Sequence, residues 1–410
     1  MRLLCVTAFL PADFRREVHG LFKRLRLFLV AAARAAREVH LLAFVAPSRD
    51  ASPAEAARLE EELAARWGVR VRLSLCRDNR PGRRPTRWES YGAPALSARA
   101  SPLALSGGDE QLRAFEAALA EEPDALFVHR LAATFPALRT RRPLPPMIFD
   151  LDDVEHVVLA RAVRQPPYWL GKPLTLFQLP ALMATERRAC AVARRTLVCS
   201  EEDRRRLGAW GMRGVDVLEN AIAIPTPAPQ PAAPTLLLLG IYSYTPNAVG
   251  AGHLLARIWP RIRAAVPDAR LVIAGAFPEL IPGYDRAGPG VEFRGFVDDL
   301  DALYAEARVA VVPLLSGGGT RIKIIEAAAY ARAIVSTRVG AEGLAFVPEH
   351  EILLRDAPWA FADACIGLLR DEAGCRRLGE AARARAVARY DAARAVDRIA
   401  DLLRDVAAGR

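Results

Sequence analysis

The chain has 410 residues, of which 52% are hydrophobic, and this length suits two or three domains with sizeable cores. Its formal charge of +10 suits anionic partners such as nucleotides or anionic lipids, unless it only reflects an arginine-rich and alanine-rich composition. The basic clusters are not interleaved with aromatic residues, which argues against a nucleic-acid partner.

Six scattered cysteines form no Cys-x-x-Cys pair, which argues against a zinc site or a disulfide framework and favours a reducing compartment. The first residues predict a β-strand rather than a signal peptide. Charged side chains interrupt the most apolar stretch, Leu25 to Val45, so a continuous membrane span is not expected. We therefore expect a cytoplasmic protein, with membrane contact limited to its surface.

Short apolar runs alternate with helical patterns in the first half of the chain. The predicted strands are Arg2–Thr7, His40–Val45, Val69–Leu75, Ala125–His129, Met147–Asp150 and Thr196–Cys199. The predicted helices are Phe14–Arg37, Pro53–Trp67, Asp109–Glu121 and Leu174–Ala193. Such alternation predicts a mostly parallel sheet with helices on both faces.

The segment from His19 to Arg37 combines basic and apolar residues at helical spacing. Lys23, Arg24 and Arg26 alternate with Phe22 and Leu25. This pattern is typical of a cationic amphipathic helix on an anionic membrane, and equally of a core-packing helix with a basic outer face. Both interpretations of helix 19–37 stay open from the sequence.

A proline-rich segment separates the first series of elements from a second one. Residues 223–234 contain five prolines, which cannot continue a helix or a central strand. The strands predicted beyond it are Thr235–Gly240, Leu271–Ala276, Val291–Phe296, Val309–Leu314, Ala333–Thr337 and Glu351–Leu354.

The two series together predict an α/β fold of two Rossmann-like, doubly wound domains that face each other across a ligand-binding cleft. The predicted limits are 1–222 for the acceptor-side domain, 223–234 for the hinge and 235–390 for the donor-binding domain. A final helix over 391–410 packs on the second domain or crosses back to the first.

Residues 316–326 form the most informative stretch, because three consecutive glycines lie between a strand and a helix. Glycines at such a turn let backbone N–H groups face an anion, and the start of the helix adds partial positive charge. Arg321 and Lys323 add two cations, and Glu326 lies where it can accept hydrogen bonds from sugar hydroxyls. This set suits a nucleoside diphosphate and its ribose.

A tight strand–helix connection without any ligand is the alternative for this loop. It is neither a Walker loop nor a dinucleotide fingerprint, because the required glycine and lysine spacings are missing. The interpretation as a binding site therefore depends on the neighbouring segments.

Those segments resemble the donor-binding half of a GT-B glycosyltransferase, specifically of glycosyltransferase family 4. Residues 239–247 resemble the family's first donor-domain loop in its Pro-Asn variant, and residues 271–276 and 291–300 match the next strands and loops. The glycine run, continued by residues 333–344, is the strongest match. The similarity is strong in the second half of the chain and weak in the first.

The resemblance implies a retaining transfer of a sugar from a nucleotide-activated donor. It assigns the ribose contact to Glu326, and Phe296 and Val297 to the loop beside the base. It makes His129 the first-domain histidine that faces the sugar. It places Gly319, Thr320, Arg321 and Ile322 around the diphosphate and sugar. We add to this predicted donor site Gly240, Asn247 and Gly318 from the matching loops, and Lys323 for its charge.

Two departures from the family pattern concern charge. The first glutamate of the family's glutamate pair falls at Gly318, and the usual Arg/Lys pair of the first donor loop is missing around Asn247. Arg321 and Lys323 can supply the lost charge from the neighbouring loop. We therefore expect His129, Arg321 and Lys323 to act in catalysis, and no metal or other cofactor to take part.

Asp150 and Asp152 have the Asp-x-Asp spacing of some metal sites, but they follow a first-domain strand. We interpret them as acceptor-side or structural residues. The sequence thus predicts a hexosyltransferase-type enzyme that uses a nucleotide-sugar donor and a polysaccharide, lipid-linked or small-molecule acceptor. A non-catalytic nucleotide-sugar-binding subunit and a sugar-nucleotide epimerase of the same architecture are the alternatives.

Overall fold

A computed structural model describes residues 1–14, 20–77, 88, 92–96, 108–164 and 168–409. The chain forms two compact units, of which the first comprises Met1–Glu219 with Ala393–Arg410. The second unit comprises Asn220–Ala392.

A seven-stranded parallel sheet forms the centre of the first unit. Its strands are β1 Arg2–Thr7, β2 Glu38–Val45, β3 Arg72–Arg77, β4 Ala125–His129, β5 Met147–Asp152, β6 Arg195–Val198 and β7 Val215–Val217. They are arranged in the order β3-β2-β1-β4-β5-β6-β7. Every residue of β4 is buried, and so is every residue of β1 except Arg2. Their apolar runs predict this burial, which is typical of strands covered on both faces of a sheet.

Helices cover this sheet. They are α1 Gly20–Ala35, α2 Pro53–Trp67, α3 Ala93–Leu96, α4 Asp109–Leu119, α5 Phe135–Arg139, α6 Glu155–Val163, α7 Leu179–Val192 and α8 Glu201–Ala209. α1 packs into the core, since Phe22, Leu25, Phe28 and Leu29 are buried. Residue 19 of the predicted helix 19–37 lies outside the described residues. For the part described as α1, the structure favours the core-packing interpretation, because its apolar face is not available to a membrane.

The second unit contains a six-stranded parallel sheet. Its strands are β8 Thr235–Leu239, β9 Arg270–Ala274, β10 Val291–Gly295, β11 Val309–Val312, β12 Ala333–Ser336 and β13 Leu353–Leu354. The strand order is β10-β9-β8-β11-β12-β13. Its helices are α9 Thr245–His253, α10 Trp259–Ala265, α11 Leu300–Ala305, α12 Ile322–Ala329, α13 Pro358–Arg370 and α14 Glu372–Arg389. Two doubly wound α/β domains are thus present, and the predicted fold class is confirmed.

The proline-rich segment 223–234 is tied to the second unit. Arg332 is fully buried, and its Nη2 donates to the carbonyl oxygen of Ala228 at 2.8 Å. Gln230 Nε2 lies 2.8 Å from Cys375 Sγ. These contacts hold the segment along the second unit, and the division between the units falls at Glu219 and Asn220.

The last helix, α15 Ala392–Ala407, belongs almost entirely to the first unit. Val396, Ile399 and Leu403 form its buried stripe. Asp397 pairs with Arg34 of α1 at 3.0 Å. Among the described residues, no helix has the length and apolar character needed to cross a membrane.

Candidate functional site

The loops that follow β8 and β11 lie side by side at the carboxyl edge of the second sheet. These two strands are neighbours, but the chain leaves β8 toward β9 on one side and β11 toward β12 on the other. Such a reversal opens a crevice at the strand ends, which is where doubly wound sheets bind ligands. The loops concerned are residues 240–244 and 313–321.

The glycine-rich loop needs glycine at two positions. Gly317 has a φ of 122° and Gly319 a φ of 66°, which side-chain-bearing residues rarely adopt. A Cβ atom on Gly317 would lie 2.8 Å from Arg321 Nη2 and 3.1 Å from the Tyr244 hydroxyl oxygen. The backbone of the second loop at Gly317 therefore lies close to the Tyr244 side chain of the first loop. A larger residue at position 317 would displace either this backbone or the Tyr244 side chain.

Arg321 precedes α12 and folds back on its own loop. Its backbone is extended, and its side chain does not cap the helix. Nη1 instead donates to the carbonyl oxygens of Gly318 and Gly319. The guanidinium thus fixes the shape of the loop in this conformation, whereas the sequence predicted a cation that faces a diphosphate.

Lys323 joins the start of α12 to the loop after β8 through Asn247 of α9. Its Nζ donates to Oδ1 of Asn247 at 2.8 Å, and Nδ2 of the same amide donates to the carbonyl oxygen of Ile241 at 2.9 Å. A Cβ atom on Gly240 would lie 3.2 Å from this Nζ, so the ammonium lies directly beside the end of β8. The structure therefore brings together Gly240, Asn247 and Lys323, and the cation missing from the first loop is supplied by α12.

The electrostatics of Lys323 are unusual for a lysine. Burial, and then the charge of Arg321, lower its pKa from 10.5 to about 7, while the carboxylate of Glu326 opposes this shift. A desolvated ammonium beside a second cation is costly, and an incoming anion relieves that cost. The site is thus suited to an anionic ligand.

Glu326 lies one turn after Lys323 on α12 and is buried. Residues three apart share a helix face, and the charge of Glu326 acts on Lys323. Burial, followed by the charge of this carboxylate, raises the pKa of Tyr304, whose ring stacks on Tyr330 at 4.4 Å between centroids. The carboxylate of Glu326 therefore acts electrostatically on both Lys323 and Tyr304.

Phe296 and Val297 follow β10 and are partly buried. Their strand is separated from β8 by β9. The ends of the three strands touch through backbone atoms, because Gly275 N donates to Gly295 O at 2.5 Å. A Cβ atom on Gly275 would lie 1.6 Å from Gly240 O. Phe296 and Val297 thus lie at the same carboxyl edge of the sheet as Lys323. They follow β10, which is two strands away from β8, the strand whose end Lys323 adjoins.

Two further predicted residues differ in their surroundings. The Ile322 side chain packs into the core, so only its backbone is available to the loop. Thr320 accepts a hydrogen bond at Oγ1 from Asn220 Nδ2 at 2.7 Å. Asn220 and Gly275 were not predicted as site residues from the sequence. The signals in the sequence that could have identified them are the position of Asn220 just before the proline-rich segment and that of Gly275 at the end of a strand.

His129 belongs to the first unit and ends β4. Its side chain is fully buried, and Nδ1 lies 3.1 Å from Thr7 Oγ1. Because the Thr7 hydroxyl donates to Phe9 O at 3.0 Å, we assign the imidazole hydrogen to Nδ1. Burial, and then the charges of Arg130 and Arg24, hold the pKa of His129 well below 6.5. The predicted direct contact with a sugar does not fit a histidine without exposed surface.

A buried ion pair lies beside this histidine. Arg24 of α1 is 1% exposed and donates to both carboxylate oxygens of Asp150, with Nη2 at 2.6 Å from Oδ1. Its Nη1 donates to Leu218 O at 2.9 Å, and its Nε lies 3.6 Å from Asp152. Of the two interpretations of the Asp-x-Asp spacing, these contacts support the structural one. Within the described ranges, no group of three His, Cys, Asp or Glu side chains is placed to hold a metal ion.

Comparison with known proteins identifies a family for part of the second unit. Residues 233–371 match the family model described as Glycosyl transferases group 1. No curated protein matches the sequence. The matched segment contains β8 to β13 and both loops of the candidate site.

Solved structures resemble the whole chain. Sucrose-phosphate synthase from Thermosynechococcus elongatus is 17% identical, with a TM-score of 0.71 and full coverage of both chains. HepE from Anabaena in complex with UDP is 15% identical, with a TM-score of 0.63 over 98% of this chain and 99% of its own.

WaaG, a glycosyltransferase involved in lipopolysaccharide biosynthesis, is 14% identical, with a TM-score of 0.62 over 98% of this chain and 99% of its own. At these identities the likeness shows the fold. The enzyme class predicted from the sequence, a glycosyltransferase, is supported by the family match in the second unit.

Proposed function

We propose that the chain is a retaining glycosyltransferase of family 4 that transfers a sugar from a nucleotide-sugar donor without a metal ion. The observation that carries this proposal is the bond between Lys323 and Asn247, which holds an ammonium beside Gly240 at the switch point of the second sheet. Glycine-rich backbone and the start of α12 lie next to it.

In the proposed reaction, the bond between the anomeric carbon of the sugar and the diphosphate oxygen breaks. An acceptor oxygen forms the new bond on the same face of the sugar and passes its proton to the departing diphosphate oxygen. Negative charge grows on the departing diphosphate, and stabilising such charge is usually the largest catalytic contribution. Lys323 and the first N–H groups of α12 provide this stabilisation.

The remaining residues bind the donor. The carboxylate of Glu326 accepts hydrogen bonds from the ribose hydroxyls, and the end of β10 at Phe296 and Val297 borders the base. Arg321 holds the glycine-rich loop in shape through its bonds to Gly318 and Gly319. His129, which is buried, supports the edge of the first sheet and does not contact the sugar.

A uridine nucleotide is the donor to test first. HepE, which shares this fold, has been crystallised with UDP and with UDP-glucose. A panel of nucleoside diphosphates and their sugars should be screened by thermal shift, because a ligand that binds only the folded protein raises the melting temperature in proportion to the logarithm of its concentration over Kd. Slow release of the diphosphate without acceptor then tests for turnover.

A non-catalytic nucleotide-sugar-binding subunit is the second candidate. Two observations favour it, namely a glycine at position 318, where the family has a glutamate, and the burial of His129. Thermal stabilisation by a nucleotide sugar without any release of diphosphate, with or without acceptors, would support this candidate. Release of diphosphate that stops in Lys323→Met would support the transferase.

A further inference from the structure

Two buried arginines lie side by side at the amino edge of the second sheet, opposite the edge that carries the candidate functional site. Arg308 and Arg332 immediately precede Val309 and Ala333, which are paired residues of β11 and β12. Arg332 is fully buried and Arg308 is 5% exposed. Because an arginine keeps its positive charge in a protein, this edge holds two cations that are almost entirely withdrawn from water. Such charges are costly unless an anion compensates them.

Backbone carbonyls of the proline-rich segment satisfy part of each guanidinium. Nη1 of Arg308 donates to Ala232 O at 3.1 Å. Nη2 of Arg332 donates to Ala228 O at 2.8 Å and to Pro229 O at 3.3 Å. These oxygens satisfy hydrogen bonds, but they carry no net charge.

Acidic side chains balance the two cations poorly. Glu372 Oε2 lies 4.0 Å from Arg308 Nη2, but the glutamate side chain is more than half exposed. Burial lowers the pKa of Arg332, and the charge that opposes this shift is that of the Cys375 thiolate. Burial in turn raises the pKa of Cys375, so this thiol keeps its proton at neutral pH. Within the described residues, Arg332 therefore has no anionic partner near neutral pH.

Three polar atoms of this region are buried and have no hydrogen-bond partner among the described residues. They are Nε of Arg308, Nε of Arg332 and Oε1 of Gln230. Gln230 Nε2 lies 2.8 Å from Cys375 Sγ, and the charges of both arginines act on the same thiol. The three residues therefore surround one thiol and present two N–H donors and one acceptor. Because buried polar atoms are rarely left unpaired, this set indicates a ligand with acceptor oxygens and one hydroxyl group.

We propose that Gln230, Arg308 and Arg332 form a site for a small oxyanion that carries a hydroxyl group, of the size and shape of hydrogencarbonate. Its charge compensates the cations, and its oxygens accept hydrogen bonds from the two Nε atoms. Its hydroxyl donates to Oε1 of Gln230. A water molecule satisfies the same three hydrogen bonds but leaves the charges unbalanced, and chloride or nitrate has no hydroxyl to donate.

This anion site joins three parts of the second unit. Gln230 belongs to the proline-rich segment, whereas Arg308 and Arg332 precede two neighbouring strands. A bound anion therefore holds the segment against the sheet and stabilises the unit. The proposal does not depend on sugar transfer, because Lys323 and the glycine-rich loop lie at the opposite edge of the sheet.

The test is thermal melting of the full chain in sodium hydrogencarbonate at fixed pH and ionic strength, in sealed cells. Sodium nitrate is the matched salt, because nitrate has the same charge and planar shape but no hydroxyl. The melting temperature should rise with the logarithm of the hydrogencarbonate concentration, as for any ligand that binds only the folded protein. Nitrate should need at least about tenfold higher concentrations for the same rise, because it leaves Gln230 Oε1 unpaired.

Two variants locate the bound ion. Arg332→Met should weaken the apparent affinity for hydrogencarbonate at least about tenfold. Gln230→Met changes a partly exposed position and should remove the preference for hydrogencarbonate over nitrate, which keeps the proposal testable if Arg332→Met does not fold. The control Arg261→Met removes an exposed cation of α10 and should respond as the wild type does. Lys323→Met should also respond as the wild type does, which separates this site from the donor site.

Two results would overturn the proposal. Equal melting temperatures of the wild type in hydrogencarbonate, nitrate and chloride would mean that the three buried atoms bind water. A hydrogencarbonate effect that persists in Arg332→Met and Gln230→Met, or that disappears in Lys323→Met, would mean that the ion binds elsewhere.

Discussion

Lys323 and Asn247 are 76 residues apart in the sequence, yet Nζ of the lysine donates to Oδ1 of the asparagine at 2.8 Å. This bond holds a positive charge from the start of α12 at Asn247 of α9, beside the loop after β8, where the family resemblance predicts a basic pair that the sequence lacks. The charge requirement of the candidate site is therefore met from a different element.

The first prediction concerns the pH dependence of nucleotide binding. Because burial and Arg321 lower the pKa of Lys323 to about 7, the ligand-free lysine loses its proton as the pH rises above 7. A diphosphate binds the charged form, so binding above pH 7 must take up a proton. The affinity for UDP should fall by up to about tenfold per pH unit between pH 7 and 9. Calorimetry over this range measures the fall.

Lys323→Met is the control for this prediction. Its affinity should be lower at pH 7 and should vary little up to pH 9, because the titrating group is gone. A wild-type affinity that is flat across the same range would show that Lys323 does not contact the anion.

The second prediction concerns the conformation of the glycine-rich loop. Gly317→Ala places a Cβ atom at a φ of 122° and 2.8 Å from Arg321 Nη2. We expect a loss of roughly 1–2 kcal/mol in the free energy of unfolding and weaker nucleotide binding. Gly318→Ala is the matched control, because the backbone of Gly318 is not in the left-handed region. Equal effects of the two substitutions on the melting temperature would contradict the account of the loop.

The third prediction compares two arginines on α1. Arg24→Ala leaves the buried carboxylate of Asp150 without its bidentate partner, and breaking such a pair costs about 3–5 kcal/mol. Arg34→Ala removes a pair with Asp397 in which both side chains are more than half exposed, and should cost at most about 1 kcal/mol. Urea unfolding of both variants measures the difference, and a similar cost for both would contradict the structural role of Arg24.

The fourth prediction concerns His129 and acid. Its pKa in the folded protein lies well below 6.5, mainly because of burial, so the folded protein keeps it neutral while the unfolded chain protonates it below about pH 6.5. Stability from this group is therefore present above pH 6.5 and is lost as the pH falls. At pH 5.5 the loss is about 1 kcal/mol.

The measurement for His129 is the difference in the free energy of unfolding between pH 7 and pH 5.5. His129→Gln should make this difference smaller by about 1 kcal/mol, whereas the substitution of an exposed histidine, His350→Gln, should not. If the free energy of unfolding of His129→Gln changes between pH 7 and pH 5.5 as much as that of the wild type, His129 is protonated in the folded protein at the lower pH. It would then be available as an acid.

The fold could largely be predicted from the sequence, because apolar runs such as Val309–Val312 are fully buried parallel strands. β7 was missed because three residues, Val215–Val217, are too short for periodicity to detect. The glycine-rich loop and α12 were recognisable since backbone freedom and helix pattern are local properties.

Contacts between distant residues could not be predicted in the same way. Arg24 was counted as part of a basic outer face, but it is buried against Asp150, 126 residues away. Arg321 and Lys323 look equivalent in sequence, yet one folds back on its own loop and the other reaches Asn247. Which cation faces a ligand depends on the packing of two loops, and local pattern carries no information about it.

The most direct test of the donor site is calorimetry of UDP with the wild type, Glu326→Gln and the control Glu380→Gln, whose carboxylate is exposed on α14. The wild type and the control should bind with equal affinity, and Glu326→Gln should bind at least about tenfold more weakly, since hydrogen bonds to a charged group contribute about 1.5–3 kcal/mol. Wild-type affinity in Glu326→Gln, or no binding of any nucleoside diphosphate by the wild type, would contradict the assignment of this sheet edge as the donor site.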